Sequence, residues 1–99
     1  MKHNYSIDPE SNSANLFYEW LLSETVTSLK NSYGNIESLK STLFLFANRA
    51  YESHMPENKI AEILGISIVH AGYSEAEESG VYEIFESYIE VAKGTHGYT

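Results

Sequence analysis

Apolar residues return every three or four positions over most of the chain, and the breaks in that rhythm mark where helices end. Residues 1–13, MKHNYSIDPESNS, lack the period and carry Pro9 with several Ser and Asn, which predicts a flexible lead-in. A first helix is expected from Ala14 to about Ser32. Leu16, Phe17, Trp20 and Leu21 give it apolar positions, and Leu22, Val26, Leu29 and Tyr33 continue at spacings of 4, 3 and 4. Gly34 breaks the pattern, and Asn35 is suited to cap the next helix. In that second helix Ile36, Leu39, Leu43, Phe46, Ala47, Ala50 and His54 fall on one stripe. Phe44 and Leu45 widen the stripe, as in a helix covered on more than one side. It should stop before Pro56, because the residue preceding a proline avoids the helical region.

The pattern after Pro56 is shorter. A third helix is predicted from Pro56 to Leu64, burying Ile60, Ile63 and Leu64, with Gly65 as its stop. Residues 66–70, Ile-Ser-Ile-Val-His, read as a loop or short helix on the core, since a lone strand would have no partner. The last helix opens at Ser74. Ser74 and Glu77 have the spacing of a capping box, and Glu75, Glu77 and Glu78 place negative charge at the positive end of the helix dipole. Val81, Ile84, Phe85, Tyr88 and Ala92 form its inward stripe. Gly80 costs such a helix about 1 kcal/mol relative to Ala. It marks either a close helix–helix approach or a later start at Ser79. Gly94 should end the helix, leaving residues 94–99 as a frayed tail. The expected core is Phe17, Trp20, Leu21, Leu43, Phe46, Ala47, Ala50, Ile63, Leu64, Ile84, Phe85 and Tyr88. The predicted fold class is an all-α four-helix bundle with a short third helix, spanning residues 14–93 as a single domain.

Composition agrees with that picture. Ninety-nine residues suffice for one hydrophobic core, and 42% hydrophobic with 20% charged residues is ordinary for a globular domain. The chain has no Cys, which removes disulfides, thiolate zinc sites and cysteine nucleophiles. No apolar run is long enough to span a bilayer, and the first residues lack a secretory h-region, so the expected location is cytoplasmic.

Charge changes the picture more. Residues 1–51 hold Asp8, Glu10, Glu19, Glu24 and Glu37 against Lys2, Lys30, Lys40 and Arg49, a net of −1. Residues 52–99 hold nine acids against Lys59 and Lys93, a net of −7. Between Ile60 and Ala92 there is no Lys or Arg. Nucleic acids and anionic membranes need cationic groups, so direct binding to either through this half is disfavoured. An acidic half is either a solubilising surface or a face that meets a basic partner.

Catalytic chemistry finds little support. His3, His54, His70 and His96 form no HExxH or HxxxH pair, and His54 and His70 read as half-buried core histidines. There is no GxSxG elbow, no GxGxxG and no phosphate-binding loop. No enzyme activity, cofactor or metal is expected. Residues 60–67, IAEILGIS, read like the first helix and turn of a helix-turn-helix, but the helix that would enter the groove lacks a cation and contains Gly72. A short core helix with a glycine stop is the simpler reading.

Two segments together resemble the YozE-like family, small four-helix domains of Gram-positive bacteria with a sterile-alpha-motif-like fold. Phe17-Tyr18-Glu19-Trp20-Leu21-Leu22 is similar to the family's opening FYxYLL-type helix. Phe46 to His54, FANRAYESH, followed by Pro56, looks like its FAxxAYxDH…P stretch. Phe85-Glu86-Ser87-Tyr88 matches the closing helix less closely. The resemblance implies a compact helical bundle without catalytic residues, a role in protein–protein contacts, and an origin in such bacteria, their phages or mobile elements. With the charge pattern, it leads to an acidic, non-enzymatic interaction module that docks a basic protein partner through the last helix. The candidate binding residues are Tyr73, Glu75, Glu77, Glu78, Tyr82, Glu83, Glu86 and Glu90, the two tyrosines serving as exposed-leaning anchors within a charged rim. The alternatives are an acidic inhibitor that blocks a nucleic-acid-binding target, and a helix-turn-helix regulator. A homodimer is compatible with any of these.

Overall fold

A computed structural model describes residues 12–97 and shows four helices, with no strand among the described residues: α1 (Asn12–Asn31), α2 (Ile36–Glu52), α3 (Glu57–His70) and α4 (Glu75–His96). The lead-in assigned to residues 1–13 lies outside the described residues except at its end, where Asn12 and Ser13 already belong to α1.

α2 packs most extensively on α4, α1 packs on α3, and α1 meets α2 over a smaller area. Contacts along each pair fix its direction. Phe44 stacks edge-on against Tyr88, and four residues further along α2 the Asn48 Oδ1 lies 2.9 Å from His96 Nε2, so α2 and α4 run parallel. Lys59 sits over the Tyr18 ring near the two starts, and the Tyr73 hydroxyl just beyond α3 donates to the Leu29 carbonyl near the end of α1. α1 and α3 are therefore parallel as well. Each helix lies beside the one two places on in the chain.

The ends are set locally. Asn35 caps α2, its side chain accepting from Ser38 N–H at 3.1 Å. α2 stops at Glu52 in a Schellman turn. His54 is left-handed (φ 55), its N–H donates to Tyr51 O, the Met55 N–H donates to Ala50 O, and Met55 is fully buried. His54 is thus a half-buried turn residue rather than the end of the apolar stripe. α3 ends the same way. Gly72 is left-handed (φ 88) and donates to Val69 O, and Tyr73 N–H donates to Ile68 O.

Several expectations are corrected. α3 does not stop at Gly65 but runs on to His70, burying Ser67 and Ile68. Ser67 is tolerated there because its hydroxyl donates to Ile63 O at 2.7 Å. The third helix remains the shortest, yet at 14 residues it is no stub. The turn that a helix-turn-helix would need after Ala61 is not formed. His70 is exposed rather than half-buried. Gly94 lies inside α4, which Gly97 caps in the left-handed conformation, so the expected tail is helical as far as His96.

α1 turns a different face inward than its largest residues suggest. Ala14, Tyr18, Leu21, Thr25 and Leu29 are buried, with the Thr25 hydroxyl satisfied by Leu21 O at 2.6 Å. Trp20, expected in the core, is 44% exposed; its ring lies against Phe17 and under the Arg49 guanidinium, 4.8 Å from the ring centroid. Leu45 faces outward, so α2 is not covered on that side, and Phe44 stays half exposed at the edge of the seam where it meets Tyr88. Leu21, Leu43, Phe46, Ala47, Ala50, Ile63, Leu64 and Phe85 form the core as predicted, with Phe17, Ile84 and Tyr88 half-buried against it.

Candidate functional site

α4 carries six of the chain's fourteen acidic residues, and its start is tightly organised. Ser74 Oγ accepts from Glu77 N–H at 3.2 Å, and Glu77 Oε1 accepts from Ser74 N–H at 2.8 Å, the reciprocal pair expected of a capping box. The other Glu77 oxygen accepts from the Tyr33 hydroxyl. Bonds from the Ser74 backbone and from Tyr33 hold the Glu77 carboxyl below its ordinary pKa, and the same carboxylate raises the Tyr33 phenol. Glu77 is therefore an internal clamp between α4 and the α1–α2 turn.

The other acids divide by position. At about 100° per residue, Glu75, Glu83, Glu86 and Glu90 fall within an arc of about 80°, opposite the buried Val81, Phe85 and Ala92. All four are exposed. Among the described residues, Lys40 pairs with Glu37, Lys59 with Glu62, and Lys93 with Glu57 at 2.8 Å. Arg49 is turned onto Trp20. None of these ion pairs reaches the α4 stripe, which keeps its charge open to solvent. Glu78 lies off the stripe, half-buried beside Tyr82.

The two tyrosines are not free anchors. Tyr73 is half-buried: its hydroxyl donates to Leu29 O at 2.8 Å and its ring meets Tyr33 edge-on at 5.1 Å. Tyr82 is half-buried against the core, and a Cβ added at Gly65 would lie 3.0 Å from its hydroxyl. Burial raises the pKa of both phenols, with Glu77 adding to the effect at Tyr73 and Glu78 at Tyr82. Gly65, expected as a helix stop, instead makes room for Tyr82 inside a continuous helix.

Beside the acidic stripe lies a groove of about 440 Å³ that sequence reasoning did not anticipate. Leu39, Val81 and Ile84 line its apolar side, Ile36 and the Tyr33–Tyr73 pair flank it, and Glu77 and Glu83 are its acidic groups. Gly80 also lines it, and a Cβ there would meet nothing within 4 Å. The expected explanations, a close helix approach or a start at Ser79, do not hold, because α4 begins at Glu75 and, among the described residues, no neighbouring helix comes within 4 Å of a Cβ placed on Gly80.

Among the described residues, no three His, Asp or Glu side chains lie close enough to share a metal ion, and no helix is long and apolar enough to cross a membrane. His96, near the end of α4, is committed to Asn48. Comparison of the chain with family models, with curated proteins and with solved structures finds no match.

Proposed function

We propose that this protein is a non-enzymatic protein–protein interaction module of the cytoplasm that docks a partner with a basic surface through the outward face of α4. The observation that carries this reading is the stripe of Glu75, Glu83, Glu86 and Glu90, exposed together and not engaged by the lysine ion pairs. Such a stripe steers a cationic partner and sets its register, with strength that falls as salt screens it. A sterile-alpha-motif-like, YozE-like membership belongs to the same proposal. It is supported by the four helices and by the burial of Tyr18, Leu21, Phe46, Ala47, Ala50 and Tyr51, which carry the family-like segments.

The test is affinity capture from a Gram-positive host, followed by titration of the captured pair. Affinity should fall with added salt and with Glu83→Lys or Glu86→Lys. Binding that is insensitive to salt and ignores both reversals rejects the reading. Competition between this protein and DNA for the captured partner would narrow it to an inhibitor that occupies a nucleic-acid site.

A further inference from the structure

We infer that the groove between the first half of α4 and the start of α2 receives an apolar side chain carried on a basic segment of the partner, so that recognition joins one buried anchor to the acidic stripe. This inference rests on the acidic-face reading and adds the site and the kind of segment it takes.

Three observations converge on it. First, the groove is preformed and apolar on its inner side, and its volume of about 440 Å³ lies in the range of ligand-sized clefts. Its wall is held rigidly: Glu77 is fixed at once by Ser74 and Tyr33, and Tyr73 by Leu29. Second, Gly80 lies at the middle of the α4 segment that lines it. Glycine inside a helix costs about 1 kcal/mol relative to Ala. At Gly65 a neighbouring side chain accounts for the missing Cβ, whereas at Gly80 nothing among the described residues does. Gly94, also inside α4, meets open space too, but Gly80 alone of the two lines the groove, where the missing Cβ lets an incoming group come close to the helix backbone. Third, the charge around the groove has one sign. Among the described residues no Lys, Arg or His lines it, its charged groups are Glu77 and Glu83, and Glu83 belongs to the outward stripe that continues to Glu86 and Glu90. An apolar anchor entering here places its flanking residues over carboxylates, which selects Lys and Arg beside it and disfavours acidic neighbours. Ile36, 54% exposed at the groove's edge, is the apolar surface such an anchor would cover.

The experiment uses the full chain and two synthetic peptides: a lysine-rich peptide bearing two leucines, and its twin with both leucines replaced by serine. Binding is followed by fluorescence anisotropy and by backbone amide shifts. The leucine peptide should bind roughly tenfold tighter or better, as expected for burying one such side chain. Its largest shifts should fall at Ile36, Gly80, Val81 and Ile84. Gly80→Leu, whose Cβ meets open space and whose branched end would occupy the groove, should erase the difference between the peptides while leaving their salt-sensitive binding. Ile36→Ser should reduce the difference in a protein whose groove remains open. Equal binding of the twins, with shifts confined to Glu83, Glu86 and Glu90, would overturn the groove and leave the acidic face standing. No binding of either peptide would overturn both. An uncharged leucine peptide that binds as tightly as the basic one, or concentration-dependent self-association mapped to the groove, would assign it another occupant and overturn the inference.

Discussion

The same two parallel helices, α2 and α4, meet in two different ways. Toward their C-terminal ends the seam is closed: Phe46 packs on Phe85 with ring centroids 5.7 Å apart, Phe44 on Tyr88 at 5.3 Å, and His96 reaches Asn48. Toward their N-terminal ends the seam is open, and the groove lies there. Aromatic rings fill the closed half, whereas the open half presents Leu39, Val81, Ile84 and the bare backbone of Gly80 to the groove. The closed half stabilises the fold, and the open half keeps a surface that the fold does not use.

Substitutions can break that contrast. The largest effect is expected at Phe46→Ala, which should cost roughly 3–5 kcal/mol by emptying a fully packed site, measured by denaturant unfolding. A loss under about 1 kcal/mol would mean the closed half is not close-packed. Ser74→Ala should cost about 1 kcal/mol by removing the cap at the groove's end of α4, and should also loosen the Tyr33–Glu77 contact, visible in the Tyr33 ring signals. Gly80→Ala should act in the opposite direction, stabilising by up to about 1 kcal/mol, because the added methyl meets open space. Destabilisation there would show that the groove is narrower than described. The smallest effect concerns pH. Glu77 and Glu57 have folded-state pKa values below the ordinary glutamate value, Glu77 through bonds from Ser74 and Tyr33, Glu57 through Lys93. Their contribution to stability is therefore present above the unfolded-state pKa and lost as pH falls through the folded values. Glu77→Gln should flatten the acid side of the stability–pH curve, and an unchanged slope would remove Glu77 from the account.

Much of the fold was legible in the chain because helix ends are written locally. Asn35, Ser74 with Glu77, and the periodic stripe from Leu43 to Ala50 each act through neighbours within one or two turns. Glycine was legible only in part. Gly72 ends α3 but Gly65 does not, although both follow an apolar run. Helix propensity disfavours glycine by about 1 kcal/mol in either place, and tertiary packing is large enough to override that. The inward face of α1 was ambiguous for a related reason: Leu16 through Leu22 are apolar nearly all round, so periodicity could not choose among Tyr18, Trp20 and Leu21.

The sequence by itself determined a four-helix chain, two well-defined helix starts and an acidic second half, since caps, periodicity and charge need no knowledge of distant contacts. Only the tertiary structure decided that the helices pair in parallel two places apart, that the lysine ion pairs lie away from the α4 stripe, and that Gly80 lines a groove rather than a helix contact. Those outcomes depend on which residues far apart in the chain come to face one another, and local spacing carries no record of that.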